Sequence, residues 1–342
     1  MTAARRPPRR QQGAAILIAM LILTLVATLA AGMVWLQWRG IEVETAERAR
    51  GQAQWLLNAS LDWGNLILKS SLPAGHTEDD LGQPWATPLE ETKLSSFLSA
   101  DGKNRGDDSG PEAYLSGQIT DAESKYNVYN IILDPTKAEE INRLQIICNA
   151  IGVAPSVAVT IGSGLRDSFS AAGNTPQGSS AGTTVLMPVR VEDLAWYGID
   201  PKVLKQLEPF IELLPPAAGQ TVAMSTINAN TAPPEVLMAA LPGTTRAQAQ
   251  QIILRRQAKP LDSPKDIWAA LNTASASQWQ NPQPAPSPQA NQVDVKSFHF
   301  EIFGQLRYEQ HVIRERSVVY RSANFYDPLK VLRRERLPPN PA

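Results

Sequence analysis

GAAILIAMLILTLVATLAAGMVWL, residues 13–36, contains no charged residue and no proline. The 23 residues from Ala14 to Leu36 reach about 35 Å as an α-helix, enough to cross a hydrocarbon core of about 30 Å. Arg5, Arg6, Arg9 and Arg10 precede the run, whereas Arg39, Glu42, Glu44, Glu47, Arg48 and Arg50 follow it as a mixed set. The positive-inside bias then puts the N-terminus in the cytoplasm and the rest of the chain outside. Trp35 and Trp38 fall where an aromatic belt lies at the far interface. The helical pattern does not stop with the apolar run. No proline occurs between Ala14 and Pro73, and Ala49, Ala53, Leu56, Ser60, Trp63 and Ile67 continue an apolar or small stripe at spacings of four and three. One helix of roughly 55 residues is expected, half in lipid and half outside, its outer stripe packing on its own domain and on partner helices. A signal anchor and a peptidase-cleaved leader share these features, and the residues alone leave both open.

The remainder is globular in character. A chain of 342 residues allows about two domains at roughly 150 residues each. Its 32 basic and 33 acidic residues give a net charge of -1, so no general field draws it onto nucleic acid. The single cysteine, Cys148, excludes an intramolecular disulfide and a Cys-rich metal site, and reads as a small buried residue on a helix.

Beyond Pro73, loops and a polar stretch from Asp101 to Gly110 lead to two segments rich in β-branched and aromatic residues, Tyr114–Thr120 and Tyr126–Leu133. With the polar turn Asp121–Lys125 between them they predict a hairpin. The period then becomes helical. Asp134-Pro135, Asp200-Pro201 and Ser263-Pro264 each pair an N-cap acceptor with proline at the first helical position. The first of these helices buries Ile141, Leu144, Ile147, Cys148 and Ile151 and can end at Gly152; the second presents Val203, Leu204, Leu207 and Phe210. Ser168–Thr184, rich in Gly, Ser and Thr, reads as a loop.

The stretch Ile227-Asn228-Ala229-Asn230-Thr231-Ala232-Pro233-Pro234 leads to Leu241-Pro242-Gly243, then to a helix holding Ala247, Ile252, Ile253 and Arg255. Two helices joined by a tight Pro-Gly turn form a helix-hairpin-helix. In DNA-binding versions the turn offers backbone N–H groups to a phosphate. Here Arg246, Arg255, Arg256 and Lys259 are only a modest basic group and the turn lacks a second glycine, so an interhelical turn in a helical domain is expected. A membrane-anchored DNA-binding protein is the second reading. Thr273–Gln292, with Pro282, Pro284, Pro286 and Pro288, is an extended linker. Ser297–Phe303 and Val312–Tyr320 form a second hairpin that must join a sheet, the nearest being the one begun at Tyr114. The helical region is then an insertion into an α+β domain. Lys330, Arg333, Arg334 and Arg336 belong to a solvated basic tail.

No catalytic constellation emerges. His76, His299 and His311 have no metal-ligand spacing, Gly162-Ser163-Gly164 is not a nucleophile elbow, and Lys103 and Arg105 occupy positions where a calcium loop needs oxygen ligands.

Gly13 followed by Ala14-Ala15-Ile16-Leu17-Ile18 at the head of a long apolar helix resembles type IV pilins and pseudopilins. Ile18 stands where most members carry Glu at the fifth mature position, and this departure resembles the protein K family of type II secretion systems. Gly117–Asp121 with Tyr126–Asn130, and Asn228, Asn230, Thr231 and Ala232 followed by Leu241, Pro242 and Gly243, are similar to that family as well. The resemblance implies an α+β fold: a pilin-like long N-terminal helix plus antiparallel sheet, with a large all-helical inserted domain. It implies a cleaved basic leader at 1–13 with Gly13 and Ala14 as the processing pair, N-terminal methylation, a transmembrane part at 14–36 and a periplasmic helix at 37–70. The pilin-like domain is expected at 71–133 and 293–327, the helical insertion at 134–272, the linker at 273–292 and the tail at 328–342. Ile18, Trp35, Trp38, Ala49, Ala53, Leu56 and Trp63 are the expected membrane and partner-helix positions. The implied role is structural and not enzymatic: a minor pseudopilin at the tip of the pseudopilus, anchored in the inner membrane. Its implied partners are minor pseudopilins I, J and H, the prepilin peptidase, exoproteins and the outer-membrane secretin, with no nucleic acid. Family members can bind calcium, but the acidic stretch this needs is not evident here, and no ligand is assigned.

Overall fold

A computed structural model of the chain describes residues 12–70, 78–93, 113–133, 138–173, 186–215, 224–241, 243–271, 292–308, 311–322, 324 and 326–338. Two compact units divide it, Met1–Leu56 and Leu57–Ala342. Helix α1, Gln12–Ser70, begins in the first and ends in the second. Its stretch from Ala14 is long and apolar enough to cross a membrane, and none of its most apolar window is buried within the protein. Trp35 and Trp38 are exposed, and the Arg39 guanidinium lies 5.7 Å from the Trp35 ring centroid.

The second unit is built on a five-stranded sheet in the order β1-β2-β7-β8-β9: β1 Leu89–Lys93, β2 Ala113–Asp121, β7 His299–Tyr308, β8 His311–Tyr320 and β9 Lys330–Leu337. All neighbours are antiparallel. Along β7 burial alternates with the pleat, and Phe300, Ile302, Gly304 and Leu306 share one face. The end of α1 lies on that face. Leu61 and Leu68 join Trp85, Ile119, Phe300, Ile302 and Val319 in one core, with Trp85 edge-on to Phe300 at 5.2 Å. Gly304 lets the helix approach: a Cβ there would stand 3.2 Å from Leu57 Cδ1.

Within the second unit the buried row on this helix is Leu57, Leu61, Gly64 and Leu68. Ala49 and Leu56 are half-buried and Trp63 is 44% exposed. The sheet selects residues small or branched enough to sit on Gly304 and Ile302, and an indole at 63 does not fit that close seam. Trp63 instead lines an open apolar well of about 250 Å³ with Trp85, Leu115, Ile119 and Ile302.

Two expectations about the strands are corrected. The hairpin across Asp121–Lys125 does not form. β2 ends at Asp121, a 3₁₀ turn covers Ala122–Ser124, and β3, Tyr126–Asn127, pairs in parallel with β4, Ile211–Glu212; Asn130–Leu133 is a helical turn, α2. The Asp121 carboxylate accepts from Glu123 N at 2.8 Å and turns the chain out of the sheet. The supposed solvated tail is the edge strand β9. Its basic residues are held by acids: Arg334 by Glu315 at 3.0 Å, and Arg333 by Glu212 at 3.1 Å and Glu335 at 2.5 Å. Lysines and arginines on an edge also discourage pairing with other chains.

Between β2 and β7 the chain leaves the sheet and builds a helical module around one large apolar core. Its helices are α3 Glu139–Ala150, α4 Ser156–Gly173, α5 Pro201–Leu207, α6 Pro234–Ala240, α7 Arg246–Ala258 and α8 Pro264–Leu271. β5, Ile227–Asn228, pairs in parallel with β6, Val293–Asp294. Asp200 caps α5 by accepting from Lys202 N at 2.8 Å. At α8 the capping is reversed: Asp266 accepts from both the backbone N–H and the hydroxyl of Ser263. Gly152, at φ +78°, follows the end of α3. That helix begins at Glu139 behind Ala138, which makes no side-chain cap; Asp134 and Pro135 lie outside the described residues, as do the stretch Asp101–Gly110 and the expected linker up to Asn291.

The Gly/Ser-rich segment holds the clearest difference. Ser168–Gly173, expected in a loop, is the last part of α4. The glycines there serve close packing and not a turn. A Cβ on Gly162 would stand 2.7 Å from Ile141 Cδ1, and one on Gly164 would stand 2.5 Å from the root of the Tyr197 ring. Gly164→Ala gains about 1 kcal/mol of helix propensity, but overpacking costs about 1–3 kcal/mol, and the ring cannot retreat while its hydroxyl is bonded to Ser168 at 2.8 Å. A lowered thermal midpoint is expected, and an unchanged or raised one would show that α4 can shift freely.

Candidate functional site

The polar stretch Asn228–Ala232 lies at the junction between the helical module and the sheet, and its side chains are the fasteners. Asn228 is fully buried. Its Nδ2 lies 3.0 Å from the Asp79 carbonyl, 3.0 Å from Asp121 Oδ2 and 2.8 Å from Ser297 Oγ, while its Oδ1 accepts from Asn230 N at 2.9 Å. The Thr231 hydroxyl donates to Asp121 Oδ2 at 2.5 Å, and the Ser297 hydroxyl donates to the same oxygen at 2.6 Å. Asn230 acts as a piece of strand: its amide donates to the Leu261 carbonyl at 3.0 Å and its carbonyl accepts from Leu261 N at 2.9 Å. Ala232 is buried beside it in the module core.

Arg321 closes the junction from the sheet side. One guanidinium nitrogen donates to Asp79 Oδ2 at 2.5 Å and to the Ser297 carbonyl at 2.9 Å. The other reaches the Leu68 carbonyl at 3.3 Å, near the C-terminus of α1 where a cation is favoured. The guanidinium also stands 4.5 Å from the Phe300 ring centroid. The end of α1, the sheet and the helical module therefore meet in one buried polar network. Nothing in the sequence brings Asp79, Asp121, Ser297 and Arg321 together; only Asn228 and Thr231 stood out beforehand, through the resemblance.

Beside the network, His299 Nδ1 lies 2.6 Å from Glu123 Oε1. Burial raises the Glu123 carboxyl, opposed by its contact with His299. Along the sheet, Lys125, Arg316 and Arg333 face Glu192, Glu208, Glu212 and Glu335 across the same junction. This ionic seam was not legible in the sequence.

The turn between α6 and α7 runs from Leu241, which is buried, to Gly243 at φ +81°, with Thr245 as N-cap in a reciprocal capping box with Gln248; Pro242 lies outside the described residues. Of the four basic residues of the DNA-binding reading, Arg256 is turned inward, Arg246 and Lys259 are paired at the surface, and Arg255 is exposed. Arg256 points inward, donating to the Ala229 carbonyl at 2.6 Å and the Ala232 carbonyl at 2.7 Å. Burial lowers its pKa to about 10. Arg246 is paired with Glu235 and Lys259 with Asp262.

No group of three or more His, Cys, Asp or Glu side chains that could hold a metal ion occurs among the described residues. The calcium carried by the family resemblance thus has no fitting donor set there. Gly13 and Ala14 lie in the first turn of α1 and Ile18 is exposed on it.

The model of the type II secretion system protein K family matches residues 227–287, the stretch that opens with this junction motif and runs through α6, α7 and α8. A chain of the GspK–GspI–GspJ complex from the type 2 secretion system of enterotoxigenic Escherichia coli has the same fold, with a TM-score of 0.61 at 17% sequence identity over 86% of this chain and 99% of that one. No curated protein sequence is a significant match. A long N-terminal helix running into an antiparallel sheet, with a helical module between two of its strands, is a GspK-like fold. Within that module, residues 227–287 carry the likeness to the protein K family of type II secretion systems.

Proposed function

We propose that this chain is a minor pseudopilin K of a type II secretion system and works at the tip of a periplasmic pseudopilus, assembled with minor pseudopilins I and J and with H as a further neighbour. The observation that supports this most is the position of the family stretch 227–287: it forms the attachment of a helical module to a sheet that already carries its own long helix. In this reading α1 is held in the inner membrane with its N-terminus in the cytoplasm. It packs against partner helices, while the large head blocks further stacking and meets exoproteins or the secretin. A prepilin peptidase removes the leader after Gly13, leaving Ala14 as the first, methylated residue.

Two measurements test the reading. The protein extracted from membranes of a cell carrying the complete secretion system is expected to begin at Ala14 and to co-purify with I and J. Gly13→Leu is expected to retain the leader. An N-terminus unchanged between wild type and the variant, or recovery without either companion subunit, would refute it.

A further inference from the structure

The well beside the end of α1 leaves apolar surface uncovered. Trp63, Trp85, Leu115 and Ile302 line it, together with Pro84 and Pro88, both exposed. Gly64, Gly117 and Gly304 line it without side chains and so leave it room. Trp63 is 44% exposed, and Leu66, three residues on and hence its neighbour on the helix surface, is 61% exposed. Contiguous apolar surface with an indole at its rim has the composition of a binding hot spot. At about 250 Å³ the well is smaller than the about 300–1,000 Å³ of small-molecule sites. Its size suits one bulky side chain.

Charge narrows what that side chain belongs to. No charged side chain lines the well, and no lysine or arginine adjoins a lining residue in sequence. Two exposed acids do: Asp62, between Leu61 and Trp63 on α1, and Glu90, next to Leu89 on β1. Neither carboxylate has a hydrogen-bond or ion-pair partner among the described residues. Other acids of the sheet are held, Glu91 by Arg307 at 2.7 Å and Glu315 by Arg334 at 3.0 Å. We propose that the well receives an apolar side chain of another polypeptide that carries a lysine or arginine within a residue or two of that anchor, the cation lying against Asp62 or Glu90. Burial of the anchor beside Trp63 supplies the affinity. The complementary charge steers the encounter and fixes the register. This surface is additional to the tip assignment and stands without it.

Photo-crosslinking tests this in place. The full chain with p-benzoylphenylalanine instead of Trp63 is produced in a cell carrying the complete secretion system and irradiated there, and each adduct is mapped by mass spectrometry. The expected adduct is on another polypeptide, at an apolar residue with a lysine or arginine close beside it in sequence. Reversing both rim charges, Asp62→Lys with Glu90→Lys, should lower its yield roughly tenfold, because two exposed attractions become repulsions. The thermal midpoint should stay put, since both positions are on the surface. Adducts confined to lipid, to this chain itself or to a second copy of it would overturn the proposal, and so would a yield indifferent to the reversal. Recovery of I and J with no adduct would remove the docking surface and leave the tip assignment standing. A charge-dependent adduct on a different protein would uphold the surface without supporting that assignment.

Discussion

Replacing Arg321 with leucine is expected to cost about 3–5 kcal/mol of stability, the range for breaking a buried ion pair by removing one partner. The loss comes mainly from what remains behind. Asp79, 5% exposed, would keep its charge with Ser297 N, at 2.9 Å from Oδ2, as the remaining donor to that oxygen. The Ser297 and Leu68 carbonyls would lose the guanidinium as well. The effect should concentrate at the meeting of α1, sheet and helical module, because those carbonyls belong to different elements. Thermal unfolding of the full chain would read it as a large fall in the midpoint. The double variant Asp79→Asn with Arg321→Leu should recover part of the loss, since no charge is then stranded. A single variant within about 0.5 kcal/mol of wild type, as surface substitutions are, would mean that the network is open to water.

The sequence showed the parts that depend on local order. The rod from Ala14 onward, the β7–β8 hairpin, the Asp200-Pro201 helix start and the burial of Cys148 all follow from periodicity and capping, which act over a few residues. The pairing of that hairpin with the strand begun at Tyr114 followed from element order. The misreadings share another cause. Lys330–Leu337 looked like a tail because its charges are neutralised by Glu212 and Glu315 from distant segments. Ser168–Gly173 looked like loop because Gly and Ser usually mark one, whereas it is the last part of α4. The candidate site was half visible. Asn228, Asn230, Thr231 and Ala232 were singled out through family resemblance, but their function as fasteners depends on Asp79, Asp121, Ser297 and Arg321, up to 149 positions away.

The helical module has a second fastener, and Arg143→Leu is expected to damage it by a comparable about 3–5 kcal/mol. Arg143, 5% exposed, pairs through Nε with Glu140 at 3.1 Å, and its Nη1 donates to the carbonyls of Ala239 at 2.9 Å and Ala240 at 2.8 Å. These carbonyls close α6 just before the turn at Leu241–Gly243, so the arginine satisfies acceptors that a helix end leaves open. Glu140 is shared further: the Tyr126 hydroxyl donates to it at 2.9 Å and the Gln292 amide also donates to it. Leucine at 143 would bury the freed carboxylate with neutral donors alone and leave two carbonyls facing an apolar side chain. Combining Arg143→Leu with Glu140→Gln should cost clearly less than the two single changes added together, by about 0.5–3 kcal/mol, the range of coupling between residues in one network. Strict additivity would show that the pair is not an interacting unit. Because α3 and α6 lie inside the module and Arg321 lies at its boundary, the two variants should also separate by location: exchange should rise at Val236–Ala240 for Arg143→Leu and at Val295–Ser297 for Arg321→Leu. If both variants loosened the same segments equally, the module and its attachment to the sheet would unfold as one.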